Sequence, residues 1–386
     1  MTEKDFYYLN YLMLFGNTDG FSVSNLAKRA LKMKEAQQKS FDDRVKHYFA
    51  KLNTETDSQE LQRLFQQKHI EVWPSNLICQ LHEKYGSVLL GLFHFGPHRH
   101  IFLDLAAQRL PTIAPIAGKA YWDFYNLRHS APADFADSIQ LLEVEKRKVG
   151  SSVFREIKKG RIGAIYVDGN MGPSSSKDDE SHVEVEFFGK RINVKYGISR
   201  LQKLLKLPIL PILSCEVGSE LNGTSNKHIK FAEPILPMME GEDKQEKIKD
   251  IYSHQKTMQT LYNFLSEEVK KTPEHWEFAL CFHRWLAKET ETDLLKSENF
   301  KDVISGKKRI ELNKNKVVAI GTLENMVWID FTNGEGYKPP KCNPLLFHKI
   351  SKANKYALSN IYDATNTEVL QSFIEQLWKK NLITIV

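Results

Sequence analysis

Gly86-Ser-Val-Leu-Leu-Gly-Leu-Phe-His94-Phe95 is the stretch on which the reading of this chain turns. It is almost continuously apolar over the length of a strand, and Gly96-Pro97 follows it. Such a run suits a strand buried on both faces of a sheet. Gly96 permits a tight turn, and Pro97 suits the first position of a helix. The segment therefore predicts a strand that stops at His94, a turn, and a helix over residues 101–108.

Working outward, further strand-length apolar runs occupy residues 112–117, 162–167, 209–213 and 229–235, and residues 183–188 alternate cleanly. Helical spacing falls between them at 101–108, 120–127, 152–159 and 198–205. Strands alternating with helices predict an α/β fold: a mixed, mostly parallel sheet flanked by helices. Residues 172–182 are small, polar and charged and read as a surface loop. Residues 241–270 read as a long charged helix, with residues 276–285 following it.

The flanks have a different texture. Residues 1–85 read as a helical region: Ser22 caps a segment through Met33, periodic stretches cover 41–52 and 61–65, and after Pro74 the pattern resumes over 75–85. The aromatic run Phe6–Phe15 lacks the basic start and small-residue cleavage site of a signal peptide. It is either a packed first helix or a segment lying shallowly in a membrane interface. Residues 289–316 are charge-rich and mark a boundary. Beyond it, strands at 317–320 and 326–331, the turn signal Asn333-Gly334, a return strand at Tyr337, helices at 344–353 and 367–380 and a last strand at 382–386 predict a small winged-helix-like α+β module. The expected division is a helical region 1–85, an α/β core 86–290, a linker 291–309 and a module 310–386.

Composition agrees with a folded chain. Its 386 residues allow two or three domains at roughly 100–200 residues each. The 41% hydrophobic and 26% charged fractions exclude wholesale disorder and fibrous repeats. Lys+Arg minus Asp+Glu is 54 − 48 = +6, which suits an anionic partner or membrane surface without requiring one. The four cysteines lack CxxC spacing, so neither a disulfide framework nor a zinc ribbon is expected, and a cytoplasmic setting is. No stretch reaches the ~20 apolar residues of a bilayer span.

Two strand ends carry the candidate chemistry. His94 stands where open α/β sheets place their crevices. It is either a general base, since imidazole titrates near neutrality, or a ring bonded within the turn. His98 and His100 follow closely, but Pro97 separates the first two from one helical face and no nearby Cys or Glu completes a set. No metal is therefore expected. Ala164-Ile-Tyr-Val-Asp168-Gly169 repeats the pattern with a carboxylate. Asp168 orients a base, binds a polar substrate group, or makes an ordinary turn. Phe187-Phe188-Gly189-Lys190-Arg191 ends a strand with two cations, an anion site or a solvated turn. Gly197 opens a helix bearing Arg200, Lys203 and Lys206, again an anion site or a wet face. Cys215 reads as a packed thiol. The absence of GxSxG, Walker, GxGxxG and HExxH patterns removes several enzyme classes.

Taken in order, these segments resemble the lysophospholipid acyltransferase superfamily, and within it the bacterial lipid A late acyltransferases of the lauroyl/myristoyl type. The likeness is carried by Gly91-Leu-Phe-His94-Phe-Gly96, Val167-Asp168-Gly169, Val185-Glu-Phe-Phe-Gly189, Leu207-Pro-Ile-Leu-Pro211, Glu233-Pro234-Ile235, and Glu274-His-Trp276-Glu-Phe with Phe282-His-Arg-Trp285. It implies a glycerolipid-acyltransferase-like fold and transfer of a fatty or other acyl group from an acyl carrier protein or coenzyme A thioester to an amine or hydroxyl. The thioester is a cosubstrate, and no bound cofactor is expected. His94 would take the acceptor's proton.

The family places a carboxylate five positions after that His, and Arg99 stands there instead. A cation beside a base His opposes imidazolium formation. Three expectations follow: Asp168 or Asp104 supplies the carboxylate, the acceptor is an amine that needs no strong base, or the scaffold binds acyl chains or peptides without catalysis. The resemblance thus implies His94, Asp168 and Arg99 as catalytic candidates. Around the turns Gly96, His98, Asp104 and Gly169 are substrate-binding candidates, and Phe188, Gly189, Lys190, Arg191 and Arg200 are the anion-binding ones.

The C-terminal module is similar to PqqD-like peptide-recognition domains, through Val327-Trp-Ile-Asp-Phe-Thr-Asn-Gly334-Glu-Gly-Tyr337 and the helix 366–378. That implies a peptide acceptor or leader peptide as partner and a place in natural-product or modified-peptide biosynthesis. A nucleic acid is not expected, because the helix 367–380 carries two cations, both at its end, and two acids. The alternative to a cytoplasmic enzyme is a phospholipid acyltransferase peripheral to the inner face of the membrane.

Overall fold

Leu89–Leu92 is β1, and all four residues are buried. The structure, a computed structural model, describes residues 3–15, 28, 31–33, 35, 75–96, 98, 101–102, 105, 110–118, 138–145, 149–169, 181–217, 226–237, 246–286, 309–313, 316–320, 326–330, 336–338, 356–357 and 367–385. Residues 35–277 form one compact unit, and residues 1–34 with 278–386 form a second.

In the first unit, α2 (Ser75–Tyr85) leads into β1, and β2 (Thr112–Ile116), β3 (Ile139–Glu143), α3 (Val149–Lys158), β4 (Ile162–Tyr166), β5 (His182–Phe187), β6 (Lys190–Lys195), α4 (Gly197–Leu205), β7 (Ile209–Val217), β8 (Asn226–Phe231) and α5 (Glu246–Lys271) follow. The described strands make a sheet in the order β3-β2-β4-β1-β7-β8. All its neighbours are parallel except β7 and β8. The mixed, mostly parallel sheet expected from the alternation is the one observed.

Strand period two sends alternate β1 residues to opposite faces. Leu90 and Leu92 join Ile78, Leu81, Phe102, Ala114 and Ile212 in one core layer. On the other face Gly91 lets α5 come close: an added Cβ would stand 3.1 Å from Leu261. Phe93 and Phe187 there pack edge-on against Tyr262 of α5. Burying such aromatic side chains is worth about 1.5–3 kcal/mol each.

Helix α5 is held from two sides. Ser199 of α4 lies 2.9 Å from His254 Nδ1, and Tyr196 stacks on the His254 ring. At the other end Glu268 receives Lys230 of β8 and Lys271. Burial pushes the Glu268 carboxyl up, but the two ammonium groups outweigh it and hold it below the usual carboxylate range.

Three strand readings need correction. Residues 183–188 do not join the central sheet. They pair antiparallel with β6 in a separate hairpin, whose turn residues Phe188 and Gly189 have φ of 53° and 68°. Two such residues in succession form the tight turn that matches strand twist. Lys190 and Arg191 thus open a return strand. Strand β3 was not anticipated, because it is half-exposed throughout and shows no apolar run. In the second unit β9 (Arg309–Leu312) lies within the charge-rich stretch 289–316, where no strand was expected.

That second unit contains α1 (Glu3–Phe15), β9, β10 (Val317–Ile320), β11 (Val327–Asp330), β12 (Gly336–Tyr337), β13 (Tyr356–Ala357), α6 (Thr367–Lys379) and β14 (Ile383–Ile385). The described strands form two small antiparallel sheets, β10-β11-β12 and β13-β9-β14. Trp328, Phe373, Leu377 and Trp378 share their core. In α1, Leu9, Asn10, Leu12, Met13 and Leu14 are all buried, as the packed-helix reading of Phe6–Phe15 requires. Among the described residues no helix is long and apolar enough to cross a membrane. The expected elements at 22–27, 41–52, 61–65, 120–127, 172–180, 333–334 and 344–353 lie outside the described residues.

Candidate active site

β1 and β4 are adjacent and parallel, with Leu92 opposite Tyr166. Their carboxyl ends therefore deliver His94 and Asp168 to the same place, although 74 residues separate them in sequence. His94 Nδ1 lies 2.8 Å from Asp168 Oδ1. Asp168 is fully buried. It also accepts the His94 backbone N–H, at 3.0 Å to Oδ2, and the Trp276 indole N–H, at 3.0 Å. A carboxylate only accepts, so this contact puts the imidazole proton on Nδ1 and makes Nε2 the basic nitrogen.

The turn after His94 is built from the backbone. Gly96 N–H donates to the His275 carbonyl at 2.7 Å, and Glu277 N–H donates to the His94 carbonyl at 2.9 Å. Phe95 bridges antiparallel to Trp276. Residues 275–277, arriving after α5, thus run antiparallel beside the turn through an isolated bridge and two backbone hydrogen bonds. Phe187 packs on Trp276 from the hairpin.

A second hydrogen-bonded chain stands beside the first. His98 is buried, with Nε2 2.9 Å from Glu277 Oε1 and Nδ1 2.7 Å from the Tyr166 hydroxyl. The carboxylate again assigns the proton, here to Nε2, so Nδ1 of the neutral ring accepts from Tyr166 O–H. Tyr166 stacks on His94 with centroids 4.2 Å apart and planes 25° apart.

The structure therefore brings together His94, His98 and Asp168, with Gly96 and Gly169 in their turns. It places Phe188 and Gly189 in the hairpin turn, with Lys270 over the Phe188 ring. Lys190 pairs with Phe187 in the ladder, and Arg191 lies 3.7 Å from Glu184. Arg200 is on the exposed side of α4. Arg99, Asp104 and His100 lie outside the described residues. Among the described residues no three His, Cys, Asp or Glu are grouped to hold a metal.

Sequence reading missed Tyr166, Glu277 and the role of Trp276. Tyr166 had a local signal: it is two residues before Asp168 and so shares its side of the strand. Glu277 lies in the quoted motif 274–278, but nothing local signalled its pairing with His98, 179 residues away.

Two buried groups nearby give direct tests. Burial first, and then the Asp168 charge, hold the Tyr262 phenol well above its ordinary value. Among the described residues its hydroxyl has no hydrogen-bond partner. An unpaired buried hydroxyl costs about 1–3 kcal/mol. Tyr262→Phe keeps the ring contacts, so its denaturation midpoint should equal or exceed the parent's. Cys215 ends up buried in β7, where desolvation pushes its thiol up to about 11. The thiolate is the reactive form. At pH 8 iodoacetamide should label the exposed Cys79 and spare Cys215 in the folded protein. Peptide mass mapping reads both, and labelling of Cys215 should rise only as pH approaches 11.

A His–carboxylate pair at the carboxyl edge of a parallel sheet is the architecture of an enzyme that moves a proton during group transfer. The family model for bacterial lipid A biosynthesis acyltransferases matches residues 67–287, more than half of the chain. The chain belongs to that family, and it is an acyltransferase. No curated protein matches it.

Proposed function

We propose that this protein transfers a fatty or other acyl group from a thioester of acyl carrier protein or coenzyme A to an amine or hydroxyl. The observation that carries this reading is the 2.8 Å contact between His94 Nδ1 and Asp168. It supplies the carboxylate that Arg99 does not, and so supports catalysis over a scaffold that only binds.

In this reading His94 Nε2 removes the proton from the acceptor as its oxygen or nitrogen attacks the thioester carbonyl. The carbonyl electron pair moves to oxygen in a tetrahedral intermediate. Asp168 keeps the ring oriented and stabilises the imidazolium. Collapse re-forms the carbonyl and breaks the C–S bond, and the imidazolium returns its proton to the departing thiolate. An ester or amide and a free thiol result.

The setting we infer is natural-product or modified-peptide biosynthesis. Residues 310–386, with their short antiparallel sheets and the helix α6, would then dock the peptide that carries the acceptor. Incubating the purified chain with acyl-carrier or acyl-coenzyme A thioesters and candidate acceptors, and weighing the products by mass spectrometry, tests the reading. A mass gain of one acyl group on the acceptor with matching thiol release is expected. Thioesters that stay intact with every acceptor class, or that are lost only to water, would overturn it.

A further inference from the structure

The Tyr166–His98–Glu277 chain has no part in the mechanism above, yet it sits against its central residue. Tyr166 presents the face of its ring to His94 at 4.2 Å. Its hydroxyl is tied at 2.7 Å to His98, which is tied in turn at 2.9 Å to Glu277. A tyrosine ring can swing about its side-chain bonds, and these two hydrogen bonds restrain that motion. The rest of the chain's anchoring is equally firm, because Glu277 is fixed by its own N–H to the His94 carbonyl.

We propose that Tyr166 is a positioning residue that stabilises the His94 imidazolium through the face of its ring, with His98 and Glu277 holding the ring in place. This rests on His94 being the base. Attraction between a cation and an aromatic face is effective within about 6 Å of the ring centroid, so 4.2 Å is well inside its range. In neutral His94 the stacking is worth little. Once the ring is charged, the interaction grows, which favours the protonated form that the transfer step creates. Donating its proton toward His98 Nδ1 makes the phenol oxygen more electron-rich, which strengthens the negative face.

Several other charged or titratable groups face His94. Asp168 meets Nδ1 directly. His98 lies with its centroid 5.0 Å from that of His94, and Glu277 lies behind it. On the side of α5, Tyr262 stays protonated. None of these changes when only the electron density of the residue-166 ring is altered.

The test uses that property. Tyr166→Phe keeps the ring, and incorporation of mono-, di- and trifluorophenylalanine at position 166 drains its face stepwise while barely changing its shape. The readout is the titration of His94 followed by NMR on protein with labelled histidine, the resonance being assigned by its loss in His94→Gln. The His94 midpoint should fall with each fluorine, by about half a unit or more over the series, a threefold or greater change in the ionisation constant. A flat series overturns the proposal. So does a Tyr166→Phe midpoint as low as that of Tyr166→Leu, since the hydroxyl and not the ring would then matter. The measurement needs no turnover. A falling series in a protein that transfers no acyl group would overturn the proposed function and leave this inference standing.

Discussion

Asp168→Asn should lower the rate of acyl transfer by about 10³–10⁴-fold, as replacing the acid partner of a base His does elsewhere. The argument is one of hydrogen-bond polarity. The Asp168 carboxylate accepts from His94 Nδ1–H, from the His94 backbone N–H and from the Trp276 indole. An amide at this position can still accept from two of these donors through its oxygen. Its NH₂ group, turned toward Nδ1, can only donate. The imidazole must then carry its proton on Nε2, and the basic lone pair faces the wrong way. The variant keeps nearly the same volume, so it should fold like the parent and bind substrate with little change in KM while kcat collapses. His94→Ala should lose the same activity outright. Steady-state thioester cleavage coupled to product mass, alongside circular dichroism, separates chemistry from folding. Activity within tenfold of the parent in Asp168→Asn would remove Asp168 from the mechanism. Asp168→Ala is a poorer probe, because it strands the Trp276 and His94 N–H groups in a buried site at about 1–3 kcal/mol each.

Gly96→Ala should be the most damaging single-methyl change to the fold around the site. Gly96 has φ of +56°, a conformation that costs a residue with a side chain about 1–2 kcal/mol. Space is the larger problem. The added Cβ would overlap the Ser214 carbonyl oxygen and stand 3.2 Å from its carbon. These are backbone atoms of β7 and cannot rotate aside. Relief requires moving the turn, and the turn carries His94. Overpacking of this kind adds typically 1–3 kcal/mol, so a melting temperature lower by about 5–15 °C is expected at roughly 2–4 °C per kcal/mol. Acyl transfer should fall with it. A melting temperature unchanged within experimental error would show that the turn is looser than its hydrogen bonds to residues 275–277 imply. Gly96, expected to touch substrate, thus has a structural reason to be glycine.

How much of this was legible depended on burial. Leu89–Leu92 and Ile209–Leu213 are buried on both faces, and a residue with no polar face leaves an unmistakable apolar run. The hairpin strand β6 buries only Ile192 and Val194, between Arg191, Asn193 and Lys195. Two apolar positions do not stand out from a charged turn. Strand β9 has the same weakness: among its described side chains Ile310 and Leu312 are buried around half-buried Glu311.

Local pattern by itself determined the α/β class, a buried strand just ahead of His94 (it ends at Leu92, two residues earlier than the apolar run suggests), and Asp168 as a carboxylate just past a second strand. These follow from periodicity and turn chemistry within about ten residues, where side chains report directly on which faces are wet. Only the tertiary structure decided that β4 lies beside β1, so that Asp168 meets the imidazole. It alone brought Trp276 to Asp168 across 108 residues and Glu277 to His98 across 179. Strand order and the docking of residues 275–277 are set by how whole faces pack, and no local spacing encodes which distant donor will reach a given acceptor.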